Sequence, residues 1–256
     1  MRSFAAFFRK EILDQIRSGK AAVLGILFVL FGIMNPAIAK ITPWLLEMMA
    51  DSLAESGMSI TVGEVTALDS WVQFFKNMPI ALIAFILLQS SIFTKEYSSS
   101  TLILSLTKGL ERYKVVLSKA LLLTALFSVG YWICFGITYG YNAYYWDNSI
   151  ALSLIPAVVF WWLFGVLTVS IMTLFSCIFS TNNAVLLGTG GAVLAPYVIG
   201  LIPKLSKYMP TYLTSGSSLI YGLSDAKDYV WAAIITSVIT VLCYAVSIPI
   251  FNKKQI

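Results

Sequence analysis

The chain has 256 residues, of which 59% are hydrophobic and 11% charged, far from the ~45–50% apolar and ~25% charged residues of soluble domains. It contains no histidine, which excludes histidine general bases, Ser–His and Cys–His pairs and histidine metal sites. Its net charge of +5 comes without any run resembling a nucleic-acid motif, so it reads as membrane orientation rather than binding of a polyanion.

The first element is amphipathic. Phe4, Phe8, Ile12 and Ile16 recur every four residues with Phe7 and Leu13 beside them, while Arg9, Lys10, Glu11, Asp14 and Arg17 fill much of the rest. One apolar stripe at helical period predicts a helix lying in the membrane interface over residues 1–19. A solvated helix covering a soluble partner is the alternative. The charges at Arg9, Lys10, Glu11 and Asp14 interrupt the leading apolar run, so the N-terminus is expected to be retained rather than cleaved as a signal peptide.

Six stretches follow that can each cross a bilayer, which takes about 20 apolar residues. The first covers residues 21–41, with Asn35-Pro36 two-thirds along it. Proline removes a hydrogen bond to the carbonyl four residues back, so a kink or hinge is expected there. Residues 47–70 are polar and acidic and predict an interfacial helix with a turn around Gly57 and Gly63. The second span covers 71–93, a polar stretch 94–114, and the third span 115–139. An aromatic loop with Tyr141, Tyr144, Tyr145 and Trp146 leads to the fourth span, 151–179, which carries Trp161 and Trp162 away from either interface. At least one of these two is a candidate to face a cavity. The fifth span, 184–201, contains Gly188, Gly190 and Gly191, which predict close helix packing. Residues 203–228 read as a broken, partly re-entrant segment, and 229–251 form the sixth span.

Spanning elements must satisfy their own backbone groups, so every span is read as a helix. The fold class is an all-α polytopic membrane protein of six transmembrane helices with an interfacial N-terminal helix, in one domain over 1–256. Cys134, Cys177 and Cys243 fall within spans at no metal-ligand spacing, which reads as apolar packing. No G-x-x-x-x-G-K-[ST] loop is present to cradle ATP phosphates. No charge stands out at a span centre, which argues against a carboxylate relay. With both termini inside, the cytoplasmic face holds twelve of the 17 Lys and Arg residues but only four of the 12 acids. Trp44, Trp71, Trp146 and Trp231 then fall near the outer interface.

The most specific run is Glu96-Tyr97-Ser98-Ser99-Ser100-Thr101-Leu102, then Thr107-Lys108-Gly109-Leu110-Glu111-Arg112 and Leu117-Ser118-Lys119. It resembles the pattern E-x-x-x-G-T-L, T-K-P-L-x-R and L-G-K of type-2 ATP-binding-cassette (ABC) exporter permeases, with departures at Ser100, Gly109 and Ser118. Phe8-Arg9-Lys10-Glu11-Ile12 with Arg17-Ser18 is similar to the leading helix of that family. The resemblance covers nearly the whole chain. It implies that residues 94–114 form a cytoplasmic coupling segment docking on a separate ABC ATPase, with Glu96, Thr101, Leu102, Lys108, Arg112 and Lys114 as coupling residues. It implies two permeases and two ATPases in the working unit, with a homodimer expected and a heterodimer the alternative. The two permeases would meet through their first, second and fifth spans. No cofactor is expected in this chain; ATP and Mg would sit on the ATPase. Small permeases of this kind resemble exporters of antimicrobial or cytolytic peptides in bacterial cytoplasmic membranes. Drug or lipid efflux is the second reading, and a passive channel or a membrane scaffold the third.

Overall fold

The computed structural model describes residues 2–49, 64–99, 101, 102, 107 and 109–254, and every regular element among them is helical. Helix α1 covers Arg2–Arg17, α2 Lys20–Met48, α3 Ala67–Gln89, α4 Ser91–Ser98, α5 Arg112–Tyr145, α6 Leu154–Ile178 and α7 Asn182–Ile199. Short helices α8 (Pro203–Ser206) and α9 (Gly216–Ile220), with 3-10 turns, lead into α10 (Val230–Lys253). Among the described residues, six helices are long and apolar enough to cross a membrane, with α3 and α4 forming one run, Ala67–Ser98.

Several helices run beyond their expected ends. Helix α5 continues to Tyr145, so Tyr141, Tyr144 and Tyr145 lie on a helix rather than in a loop. Gly140 alone costs about 1 kcal/mol in helix propensity, too little to end a helix whose next turn buries Asn142. Helix α2 continues to Met48 in the same way. The expected turn at Gly57 and Gly63 lies outside the described residues. Helix α3 opens with a capping box in which Thr66 N–H donates to Asp69 Oδ2 at 2.9 Å.

Apolar helix faces gain little from meeting each other in lipid, so association depends on close fit and polar contacts. Both are visible here. Phenylalanine rings fill hollows left by glycines of neighbouring elements. A Cβ on Gly165 would stand 2.1 Å from Phe127, on Gly130 2.3 Å from Phe28, and on Gly216 2.4 Å from Phe75. Helix α6 is the central element, apolar all round and buried along most of its length. It packs against α10, α7 and α5, while α2 packs against α5 and α3. Helix α7 is peripheral, burying only Val185 and Thr189.

Helix α2 does not unwind at Asn35-Pro36. Pro36 has no N–H for the carbonyl of Gly32, and the Thr138 hydroxyl of α5 donates to it instead at 3.1 Å. Asn35 Nδ2 donates to Thr138 Oγ1 at 3.0 Å, and Asn77 Nδ2 of α3 donates to Asn35 Oδ1 at 2.8 Å. The proline site is therefore pinned by a buried three-helix amide network. Thr138→Val should destabilise the protein by about 0.6–1.7 kcal/mol, the span of membrane side-chain hydrogen bonds, as read by SDS titration in mixed micelles. Asn77→Leu should act on the same network non-additively.

One aromatic expectation fails. Trp71 is fully buried, donating from Nε1 to Asn148 Oδ1 at 3.0 Å, and so is a core residue rather than an interface anchor. Trp44 and Trp231 are exposed.

Candidate functional site

Helix α1 ends at Arg17, and Gly19 in the left-handed region (φ 73°) turns the chain into α2. This lays α1 against α5 and α2. The face it turns inward is not the apolar stripe. Phe7, Glu11 and Gln15 are buried, Phe8 and Ile12 pack at the rim, Phe4 is half-buried, and Arg9, Lys10, Ile16 and Arg17 are exposed. Gln15 and Gln89 of α3 exchange paired amide hydrogen bonds at 2.9 and 3.0 Å.

Next to this pair lies a closed ring of alternating charge. Lys119 of α5 is 1% exposed, and its Nζ donates to Glu11 Oε2 at 2.7 Å and to the Ile92 carbonyl at 3.1 Å. Glu96 Oε2 stands 3.0 Å from the same ammonium. Lys10 Nζ closes the ring, 2.8 Å from Glu11 Oε1 and against Glu96 Oε1. Each carboxylate thus bridges two ammonium groups, and the four charges of the ring sum to zero, which offsets the cost of burying Glu11 and Lys119. The rings of Phe93 and Phe7 flank Lys119 at 5.5 and 5.8 Å. Burial alone would lower the Lys10 pKa, but the hydrogen bonds its ammonium donates to Glu11 and Glu96, with their negative charge, outweigh it and hold it above the ordinary 10.5. A raised lysine pKa gives stability that is complete below 10.5 and lost as pH rises through the raised value. Lys10 therefore keeps the ring closed throughout the physiological range.

The ring was only half legible beforehand. Glu96, Lys10, Glu11 and Lys119 all belong to the family-like motifs, but their mutual contact is tertiary. Lys119, matched in sequence to the L-G-K motif, is buried inside the bundle. Its position seven residues past Arg112, in an otherwise apolar run, is the signal that could have shown this.

The remaining sequence-predicted residues fall in different places. Thr101 is exposed and Leu102 buried, while Lys108 lies outside the described residues, as do Ile103, Leu104 and Leu106. Arg112 is not a free docking charge but donates to carbonyls at the end of α10. Lys114 pairs with Glu111 at 3.1 Å. Gly109 has φ 84°, which a proline could not adopt, so the turn differs from the T-K-P-L-x-R pattern. Gly188 packs under Phe175, whereas Gly190 and Gly191 meet nothing within 4 Å. Trp162 donates to Ser128 Oγ at 3.0 Å, and Trp161 lines an apolar cavity of about 390 Å³ between α3, α6 and α7.

The family model described as ABC-2 family transporter protein matches residues 5–255. The chain belongs to the ABC-2 transporter family. No curated protein matches it closely enough to narrow that assignment. An ABC-2 permease is the membrane component of an ABC transporter, not itself catalytic, and works with ABC ATPase partners. The charge ring of this permease brackets most of residues 94–114 in the chain: Glu96 stands near the start of this segment and Lys119 just after its end. The ring thus fixes both flanks of the segment to α1.

Proposed function

We propose that this permease is the membrane subunit of an ATP-driven exporter in the cytoplasmic membrane, and that residues 94–114 couple it to a separate ATPase that carries ATP and Mg. The observation that carries the reading is the ring of Lys10, Glu11, Glu96 and Lys119, which gives the segment a rigid base. Ser99, Thr101, Thr107 and Gly109 are exposed. The cargo is an amphipathic molecule, and an antimicrobial or cytolytic peptide fits best with an apolar cavity whose rim, at Ile83, Leu87 and Leu194, is open. The same cavity suits a drug or a lipid chain, the second reading. Two copies form the unit as a homodimer, supported by the open faces of α2 and α7.

A photo-crosslinking residue at Thr107 should capture the ATPase, and one at Leu223, 80% exposed at the opposite end of the bundle, should not. In intact cells an impermeant thiol reagent should label Leu223→Cys and leave Ser99→Cys unlabelled. Capture at Leu223, or labelling of Ser99→Cys alone, would reverse the orientation and sink the coupling role. For cargo, cells lacking the permease should become sensitive to a membrane-active peptide; altered drug or lipid efflux alone moves the assignment to the second reading.

A further inference from the structure

Tyr97 and Arg112 flank residues 98–111 in the chain, and both are held by the same short stretch, 251–254. Arg112 Nη1 donates to the carbonyls of Lys254 at 2.6 Å, Asn252 at 3.2 Å and Phe251 at 3.3 Å. The last carbonyls of a helix lack intrahelical donors and carry its negative dipole end, so a guanidinium there satisfies both. On the other flank, the Tyr97 hydroxyl donates to the Ser176 carbonyl of α6 at 3.0 Å. Its ring lies 6.4 Å from that of Phe251, which is fully buried and also meets Phe93 at 6.1 Å.

Lys254 joins the two flanks. Its backbone carbonyl receives Arg112, while its ammonium lies 4.1 Å from the Tyr97 ring centroid. The same ammonium donates to the carbonyls of Cys177 at 3.1 Å, Ile178 at 3.4 Å and Phe179 at 2.8 Å, at the C-terminal end of α6. One residue therefore touches the start of the segment, its end, and the closing turn of the central helix. The charge ring ties the segment to α1, but nothing in the ring reaches α6 or α10.

We propose that Lys254 is a positioning residue for energy coupling: it fixes the spacing between Tyr97 and Arg112 and transmits displacement of the segment between them to α6 and α10. The proposal rests on the coupling role assigned above. A methionine at this position keeps the volume but removes the three carbonyl contacts and the cation over Tyr97. An arginine keeps the charge and can reach both.

Spin labels at Ser99→Cys and Lys253→Cys, both on exposed positions, report the segment relative to α10 in the purified permease without ATPase. The native cysteines Cys134, Cys177 and Cys243 are buried and will not compete for label. The unsubstituted background should give one narrow distance distribution. Lys254→Met should broaden it severalfold, Lys254→Arg should keep it narrow, and Tyr97→Phe should broaden it by less. With the ATPase added, Lys254→Met should retain capture at Thr107 but lose most transport per ATP hydrolysed, with recovery in Lys254→Arg. A narrow distribution in Lys254→Met, or broadening with unchanged transport per ATP, overturns the proposal. Broadening with no ATPase captured at Thr107 in any background overturns the coupling reading itself and leaves Lys254 a structural clasp.

Discussion

A permease carrying Lys119→Met is expected to lose about 3–5 kcal/mol of stability, the range for removing one partner from a buried ion pair. The loss arises less from the missing attraction than from what is left behind. Glu11 Oε2 and the Ile92 carbonyl lose their donor, and Glu96 Oε2 loses its only close cation. Glu11 is 3% exposed, so water does not replace the ammonium without opening the packing of α1 against α5. Lys10 remains, but it already serves the other oxygen of each carboxylate. Combining Lys119→Met with Glu11→Gln restores neutrality and should recover a large part of the loss; that recovery separates a charge effect from a volume effect. SDS titration in mixed micelles, followed by tryptophan fluorescence, measures each variant. If Lys119→Met unfolds at the wild-type midpoint, the ring contributes nothing to stability and its role as a rigid base fails.

Gly165→Ala is expected to be the most damaging alanine substitution among the described glycines. The new Cβ would stand 2.1 Å from Phe127 Cζ, far inside van der Waals contact, and Phe127 is itself wedged against Phe28, Phe85 and Tyr131. Overpacking a well-filled core costs about 1–3 kcal/mol and sometimes more, and here the ring has no free direction to retreat. The helix propensity gained by replacing glycine with alanine returns only about 1 kcal/mol. Shortening the ring should relieve the clash: Gly165→Ala with Phe127→Leu should be more stable than Gly165→Ala alone, although Phe127→Leu by itself opens a cavity. Additive losses in the double variant would show that the two side chains do not compete for this space. As a control, a Cβ at Gly190 meets nothing within 4 Å, so Gly190→Ala should stabilise the isolated subunit by up to about 1 kcal/mol through helix propensity. A loss confined to the assembled transporter would place Gly190 in a contact between chains.

The sequence by itself determined the number and order of the spans, the helical fold and the motif that marks the family. These follow from local rules: lipid forces an apolar run of sufficient length to close its own hydrogen bonds, and a motif is carried by neighbouring residues. It could not determine which face of each helix turns inward. Helix α1 presents its apolar stripe plainly in sequence, yet Phe7, Glu11 and Gln15 face the bundle, because Gln15 finds a polar partner on α3 and Glu11 one on α5. Pro36 read as a hinge because its missing N–H is a local fact; the Thr138 hydroxyl that satisfies Gly32 lies about a hundred residues away in the chain and only packing brings it there. Arg112 read as a docking charge for the same reason, since the carbonyls it holds belong to residues 251–254. In lipid, apolar burial barely distinguishes one helix arrangement from another, so the Gly–Phe fits and the few buried polar pairs decide it. Those pairs join residues far apart in the chain, and only the tertiary structure shows which of them meet.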